Sequence, residues 1–315
     1  MKSFITGITG FVGSYLGDYL VSLGHEVAGI DINEKNSKNL TESEKIHLYI
    51  GSTLDDTFIK KILSDYKPDW IFHLAGIASV HQSWINKKQT YETNIMGAFN
   101  LLEACTALPE PPRILLVGSA EEYGKVNTSN PINEECALNG FTPYAISKIT
   151  QEYLGLHYYH SMQLPVIRTR SFNHTGPRQS TTFVCSSFCH QVAEIELTNK
   201  EPILHVGNLS SYRDFTDVRD VIKAYVTLME KGTIPDVYNV CRMKAYNIKE
   251  LLEIILSYST KIIKIDIDES RYRAIEIPFL LGDNSRIKKL GWEPKYTIEQ
   301  TLLDTLNYWR NALKK

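Results

Sequence analysis

The apolar and polar positions at the start of the chain predict a strand, a helix and a second strand. Residues 3–5 form a short apolar run, and apolar residues then recur at threes and fours across residues 12–23, the period of an amphipathic helix. Gly24 ends that helix, and residues 26–30 form a second apolar run that ends at Asp31. This order predicts a βαβ unit.

The same pattern continues through the first half of the chain. Further strands are predicted at residues 46–50, 69–74 and 113–117, with helices at 56–66 and 89–104. The strand at 113–117 is nearly all apolar, as expected for a parallel strand that is covered on both faces. These elements predict an α/β fold built on a doubly wound parallel sheet.

Two later segments extend this sheet. Residues 166–169 predict a strand that leads into a polar loop. Chain order suggests that a strand near residues 237–240 returns to the main sheet. We therefore expect the two halves of the chain to be interleaved in space rather than fully separate.

Composition excludes several classes of protein. The chain has 315 residues, enough for one large domain or two closely packed ones. Its net charge of −2 does not suggest binding to nucleic acid or to an anionic membrane. The five cysteines show neither a C-x-x-C pair nor a zinc spacing, so we expect reduced thiols, a cytoplasmic protein and no metal site. Asp18 interrupts the N-terminal apolar stretch, and no run reaches about 18 apolar residues, so neither a signal peptide nor a membrane span is expected.

The turn after the first strand is the first candidate site. Gly7, Gly10 and Gly13 are spaced G-x-x-G-x-x-G where the strand passes into its helix. Glycines let the backbone approach a pyrophosphate, and the helix N-terminus offers unpaired N–H groups. Asp31 is placed to accept hydrogen bonds from the adenosine ribose and to repel a 2′-phosphate. The arrangement predicts a dinucleotide site, with NAD(H) preferred over NADP(H), rather than merely a tight turn.

Tyr144 and Lys148 are the candidate acid–base pair. Of the eighteen tyrosines, only Tyr144 has a lysine four residues on, and positions i and i+4 share one face of a helix. The usual tyrosine pKa of about 10 is too high for acid–base work near neutral pH, and a nearby ammonium or cationic nicotinamide would lower it. Such a pair also arises by chance on solvated helices, so its significance depends on the motifs upstream.

Together these motifs resemble those of the extended short-chain dehydrogenase/reductases that act on nucleotide sugars. The matching features are the glycine triplet, residues 73–76 (HLAG), Ser119 four residues before Tyr123, and the Tyr144-x-x-x-Lys148 pair. The resemblance implies that the Ser119 and Tyr144 hydroxyls contact the reacting sugar oxygen. It also implies that Lys148 holds the nicotinamide ribose.

The second half is similar to that of the GDP-4-keto-6-deoxy-D-mannose reductases. Residues 172–180 (FNHTGPRQS) match a loop of those enzymes, residues 183–188 match their base-contacting helix, and residues 207–220 match the stretch whose arginine holds the diphosphate. Arg273 and Glu276 stand where those enzymes carry R-P-S-E, whose ends meet phosphate and nucleoside. The resemblance implies a GDP-sugar substrate, and we also expect a homodimer.

The domain division implied by the resemblance places the NAD-binding Rossmann domain at residues 1–173, with a returning segment near 216–241. Residues 174–315 then form mainly a smaller nucleotide-sugar-binding domain. Two departures lie on the substrate side: Arg178 replaces a glycine, and Ala274-Ile275 replaces Pro-Ser.

The residues expected at the site form three groups. The catalytic group is Ser119, Glu121, Tyr144 and Lys148. The cofactor group adds to Tyr144 and Lys148 the residues Gly7, Gly10, Phe11, Val12, Gly13, Asp31, Ile32, Ser52, Thr53, Leu74, Ala75, Gly76, Asn94 and Ser171. The substrate group is Ser79, Glu121, Asn173, Val184, Ser187, Asn208, Arg213, Arg273 and Glu276.

The leading functional interpretation is NAD(H)-dependent reduction at carbon 4 of a GDP-4-keto-6-deoxy-mannose-type sugar. The alternatives in the same family are a GDP-mannose 4,6-dehydratase and a 4-dehydrogenase or 4-epimerase. Ala120 lacks the polar atom that a dehydratase would carry beside Glu121, which disfavours the first. A non-catalytic dinucleotide-binding protein is the alternative of another class, and the intact Ser119, Tyr144 and Lys148 argue against it.

Overall fold

A computed structural model describes residues 1–126, 130–271 and 277–314 of the chain. In chain order the strands are β1 (Lys2–Thr6), β2 (Glu26–Asp31), β3 (Ile46–Ile50), β4 (Trp70–His73), β5 (Arg113–Ser119), β6 (Val166–Ser171), β7 (Asn173–Thr175), β8 (Ile203–Val206), β9 (Tyr212–Asp217), β10 (Val237–Val240), β11 (Ala245–Asn247), β12 (Lys264–Ile267) and β13 (Phe279–Leu280). The helices are α1 (Phe11–Ser22), α2 (Asp56–Tyr66), α3 (Val80–Ile85), α4 (Lys87–Tyr91), α5 (Gly97–Thr106), α6 (Pro143–Met162), α7 (Val184–Leu197), α8 (Val218–Lys231), α9 (Ile248–Ser257), α10 (Ser285–Lys288) and α11 (Ile298–Ala312).

The main sheet has seven strands in the order β3-β2-β1-β4-β5-β6-β10, and every neighbouring pair is parallel. The order reverses between β1 and β4, which is the point where doubly wound sheets open a crevice at their carboxyl edge. The predicted fold class is therefore confirmed. The strand predicted to return near residues 237–240 is β10, which pairs with β6.

Helices cover both faces of this sheet because successive strand residues point to opposite sides. On β1, Ile5 packs into the core under α1 and α8, whereas its neighbour Phe4 packs into the core under α2, α5 and α6. On β4, Phe72 packs into the same core as Ile5, and Ile71 packs into the same core as Phe4. All four side chains are fully buried, and each such burial stabilises the fold by roughly 1.5–3 kcal/mol.

The rest of the second half forms a smaller unit beside the carboxyl edge. Strands β11, β9 and β13 form one small sheet, with β7 beside β9, and β12 pairs with β8. Helices α7, α9 and α11 surround a separate core that includes Phe188, Leu251 and Leu302. The division at residue 173 stays a prediction.

The helix predicted at residues 89–104 is not a single regular helix. A π-helical turn, Glu92–Met96, joins α4 to α5. Asn94 lies in this turn and is fully buried. Such turns interrupt the regular hydrogen-bond ladder and often occur near functional sites.

Candidate active site

A cleft of about 1190 Å³ opens between the carboxyl edge of the main sheet and the smaller unit. Its walls include the glycine turn, the ends of β2, β4, β5 and β6, the first turns of α6 and α7, and the end of α11. Because these elements lie far apart in sequence, the fold alone brings their side chains together.

The glycine turn is shaped to receive a group against its backbone. Gly7 has φ of 72°, a left-handed conformation that favours glycine. A Cβ atom at Gly13 would lie 2.1 Å from the Gly7 carbonyl oxygen, so the first turn of α1 packs directly on this loop. No side chain caps α1 at Gly10. The turn therefore fits the pyrophosphate of a dinucleotide.

Asp31 is fixed at the edge of this turn by three hydrogen bonds. Its Oδ2 accepts from the Thr9 hydroxyl at 2.7 Å and from the Thr9 N–H at 3.1 Å, and its Oδ1 accepts from the Ile32 N–H at 2.8 Å. Asn39 donates to the Thr9 carbonyl at 3.2 Å. The carboxylate thus lies on the cleft wall with a defined orientation, beside the loop of residues 36–39 that also lines the cleft.

Tyr144 lies in the first turn of α6. Thr142 caps this helix by accepting from the Ala145 N–H at 3.0 Å, and Pro143 occupies the first helical position. Burial raises the pKa of Tyr144 far above its usual value, and the neighbouring Ser119 hydroxyl offsets only part of this effect. In the ligand-free protein the phenol is therefore protonated at neutral pH.

The expected lowering of the Tyr144 pKa by Lys148 is not found. The Lys148 Nζ donates to the Val117 carbonyl at 2.8 Å and to Gln151 Oε1 at 3.0 Å. Burial lowers the pKa of Lys148 to about 8. A Cβ atom at Gly76 would lie 3.8 Å from the Lys148 Nζ, so the ammonium lies beside the loop that follows β4.

Ser119 ends β5 and begins a short 3₁₀ turn, Ala120–Tyr123, in a capping box. The Ser119 Oγ accepts from the Glu121 N–H at 3.2 Å, while the Ser119 N–H donates to Glu122 Oε1 at 2.6 Å. Glu121 lines the cleft and Glu122 is fully buried. The turn thereby presents the Ser119 hydroxyl to Tyr144.

Most of the predicted site residues line this one cleft. They are Gly7, Gly10, Phe11, Val12, Gly13, Asp31, Ile32, Ser52, Thr53, Leu74, Ala75, Gly76, Ser79, Ser119, Glu121, Tyr144, Lys148, Ser171, Asn173 and Val184. Among them, Ser79 also caps α3 by accepting from the Gln82 N–H at 3.2 Å, and Ser171 hydrogen-bonds the Tyr225 hydroxyl at 2.8 Å.

Asn94 does not line the cleft. Its Oδ1 accepts from the Ile77 N–H at 2.8 Å, and its Nδ2 donates to the Ile77 carbonyl at 3.1 Å and to the Ser147 Oγ at 2.9 Å. Asn94 therefore ties the loop after β4 to α6. Its expected contact with the cofactor stays a prediction.

The remaining predicted substrate residues lie outside the cleft or outside the described residues. Ser187 lies on α7, where its Oγ accepts from Gln191 at 3.3 Å. Asn208 accepts from the Ser210 N–H at 2.8 Å, and Arg213 donates to the Tyr212 carbonyl at 2.8 Å on β9. Arg273 and Glu276 belong to the undescribed segment 272–276.

Several cleft residues were not predicted as site residues. His174 stacks on Phe11 with ring centroids 6.0 Å apart. Arg178, noted only as a departure from the reductase loop, pairs with Asp18 at 3.0 Å while adopting φ of 71°. Trp309 reaches the cleft from the C-terminal helix. No local motif marks Trp309, because its place depends on how α11 packs against α7.

Residues 1–126, 130–271 and 277–314 contain neither a candidate metal site nor a candidate membrane-spanning helix. In these ranges no group of three or more histidine, cysteine, aspartate or glutamate side chains is arranged to hold a metal ion. Across the same ranges, no helix is both long and apolar enough to span a membrane.

Comparison with known proteins identifies close similarities over nearly the whole chain. A sequence profile of the GDP-mannose 4,6-dehydratase family matches residues 4–305. The GDP-6-deoxy-D-mannose reductase of Pseudomonas aeruginosa is 32% identical over 316 aligned positions, covering 100% of this chain and 99% of the relative.

Two solved structures show the same architecture. RMD from Pseudomonas aeruginosa complexed with NADPH superimposes with a TM-score of 0.85 at 31% identity, covering 99% of each chain. The UDP-glucose 4-epimerase of Thermotoga maritima with UDP-glucose gives a TM-score of 0.89 at 27% identity, covering 99% of this chain and 100% of the epimerase.

Proposed function

The chain belongs to the GDP-mannose 4,6-dehydratase family, and we propose that it reduces the 4-keto group of a GDP-4-keto-6-deoxy-mannose-type sugar. The protein is an enzyme that uses a nicotinamide dinucleotide, as its relatives do. One observation carries the proposal. Ser119, Tyr144 and Lys148 line the same cleft as the glycine turn and Asp31.

The proton chemistry of the site suits reduction. A bound nicotinamide dinucleotide supplies the hydride for carbon 4. Tyr144, whose pKa burial raises, holds the proton that the new alkoxide needs and donates it to that oxygen. Ser119, whose side chain lines the same cleft, orients the same oxygen. Lys148 lines the same cleft as Tyr144, and its positive charge would favour the phenolate left after proton transfer.

We propose that NAD(H) is preferred over NADP(H). The fixed carboxylate of Asp31 accepts from ribose hydroxyls and repels a 2′-phosphate. Lys38 also lines the cleft and works in the opposite direction. The Pseudomonas RMD structure contains NADPH, so this preference would distinguish the two proteins.

The proposed substrate side uses Asn173 and Val184 on the cleft wall, with Arg213, Arg273 and Glu276 assigned to the nucleotide by resemblance. The GDP-linked substrate is supported by the reductase relative. Dehydration of GDP-mannose is disfavoured because Ala120 offers no polar side chain beside Glu121.

We propose that the protein is a homodimer in the cytoplasm. Ile146 and Tyr153 lie seven residues apart on one face of α6, and both are exposed. Met96 and Phe99 are exposed on the neighbouring helical segment. This apolar stripe suits packing against a second copy of the chain. Light scattering of the wild type and of Tyr153→Glu, which places a charge in the stripe, tests whether two copies associate.

All five cysteines are free thiols, in keeping with a reducing compartment such as the cytoplasm.

The direct test supplies purified protein with NADH and GDP-4-keto-6-deoxymannose, and follows NADH loss and the sugar product by mass spectrometry. Reduction to a GDP-6-deoxyhexose supports the proposal. Formation of a 4-keto-6-deoxy product from GDP-mannose and NAD would instead support the dehydratase alternative.

A further inference from the structure

A buried network of charged groups lies next to the 3₁₀ turn that follows Ser119. Glu152 on α6 accepts from Arg170 Nη2 at 2.7 Å and Nε at 3.0 Å, and from Arg168 Nη1 at 2.9 Å. All three side chains are at least nine-tenths buried. Because three arginine N–H groups face its two oxygens, Glu152 is an ionised carboxylate.

Glu122 is the second carboxyl group in this network, and its surroundings differ. Its Oε1 accepts from the Ser119 N–H at 2.6 Å. Within the described part of the chain no N–H or O–H group reaches the buried Oε2, and the charge of the neighbouring Glu152 raises the pKa of this carboxyl group. A buried carboxylate oxygen without a donor is strongly destabilised, so this arrangement calls for a proton between the two carboxyl groups.

That proton belongs on Glu122. Glu152 already accepts from three arginine N–H groups and can accept one more, whereas in the described part of the chain no donor faces Glu122 Oε2. Burial first, and then the charge of Glu152, raise the pKa of Glu122 well above its usual value. The groups that face Glu122 are Tyr144, Lys148 and Glu152 from α6, with Arg168 and Arg170 from β6.

The backbone beside Glu122 is adapted to it. A Cβ atom at Gly118 would lie 2.4 Å from Glu122 Oε1 and 2.4 Å from the Thr169 carbonyl oxygen. Only glycine at this position lets the carboxyl group rest against the end of β5, within reach of the Ser119 N–H.

We propose that Glu122 is a neutral carboxylic acid that joins the Ser119 N–H to the Glu152 carboxylate and thereby positions the catalytic serine relative to helix α6. Glu122 does not line the cleft, so it acts through Ser119, Tyr144 and Lys148. Its neutrality matters because a negative charge here raises the Tyr144 pKa further and would oppose the phenolate that forms as Tyr144 gives up its proton.

Infrared spectroscopy of the ligand-free protein tests the protonation state. We expect a carboxylic acid C=O band in wild type that shifts in deuterium oxide and disappears in Glu122→Gln. The control is Glu196→Gln, since Glu196 is paired with Arg310 at 2.7 Å and its pKa is lowered; this variant should keep the band. A band unchanged by Glu122→Gln would overturn the proposal.

A second measurement needs no substitution. Wild type labelled with ¹³C at glutamate carboxyl groups should show one protonated carboxyl carbon that does not titrate through the neutral pH range. Full ionisation of every labelled glutamate at neutral pH would overturn the proposal even if Glu122→Gln failed to fold.

Kinetic measurements test whether Glu122 positions Ser119. This test rests on the proposed function, because it needs the proposed reaction as its assay. Glutamine at 122 keeps an acceptor for Ser119 and a donor for Glu152, whereas methionine keeps similar volume and neither hydrogen bond. We expect kcat of Glu122→Met to fall on the order of tenfold or more with KM little changed, and Glu122→Gln to retain the wild-type pH profile. Equal losses of kcat in Glu122→Met and Glu122→Gln would overturn the positioning role. The infrared measurement needs no substrate, so its result holds even if the proposed reaction is not observed.

Discussion

Replacing Asp31 by asparagine should remove most of the discrimination between NADH and NADPH. Asp31 is partly exposed on the cleft wall and is held by Thr9 and Ile32. A 2′-phosphate carries about −1.5 to −2 charges at neutral pH. At about 4 Å in a water-like dielectric, each unit of charge costs about 1 kcal/mol against the carboxylate.

The expected repulsion is therefore about 2 kcal/mol, which corresponds to roughly thirtyfold weaker binding of NADPH than of NADH in wild type. Asparagine has the same shape without the charge. In Asp31→Asn we expect NADPH affinity to rise by about that factor, while NADH loses a hydrogen bond to a charged group and weakens by up to about tenfold.

Fluorescence titration of both cofactors measures these affinities. The matched control is Thr9→Val, which removes the hydroxyl 2.7 Å from the carboxylate and leaves the charge of Asp31 in place; its preference for NADH should persist. Wild type that binds NADPH as tightly as NADH, or an affinity ratio unchanged in Asp31→Asn, would refute the reasoning.

Three further predictions concern chemistry and stability. Tyr144→Phe should lower kcat by about 10² to 10⁴ while NADH titration is unchanged; turnover within about tenfold of wild type would exclude the acid role. Glu152→Ala should cost about 3–5 kcal/mol in the unfolding free energy from urea titration, because Arg168 and Arg170 stay buried without their partner. The control is Glu194→Ala, which breaks the more exposed ion pair with Lys200 and should lower the unfolding free energy by at most about 1 kcal/mol. Equal losses of unfolding free energy in the two variants would contradict the special importance of the buried Glu152 pairs. Glu121→Gln should still reduce the 4-keto sugar at a measurable rate, and complete loss of reduction would make Glu121 essential.

The local motifs were readable from sequence because they depend on neighbouring residues. The glycine turn follows from backbone sterics around Gly7 and Gly13, and the i, i+4 spacing puts Tyr144 and Lys148 on one helix. Arg178 is instructive in another way. Its φ of 71° explains why glycine suits that loop position, and its ion pair with Asp18 holds an arginine there.

Tertiary contacts decide what local pattern could not predict. Lys148 turns toward the Val117 carbonyl because burial leaves its ammonium in need of acceptors. Asn94 supports Ile77 and Ser147 because the π-helical turn aims it inward. The proximity of Glu122 to Glu152, thirty positions apart, depends on β5 packing against α6 and has no signature in the sequence.

Hydride delivery to carbon 4 is the central claim, and isotope transfer tests it most directly. Protein is incubated with GDP-4-keto-6-deoxymannose and NADH deuterated at the transferring position of the nicotinamide, and the sugar product is examined by mass spectrometry and NMR. The account predicts one deuterium, located at carbon 4, and a product that forms at least about a hundredfold more slowly with Tyr144→Phe. A product with no deuterium, or with deuterium at another carbon, would contradict it.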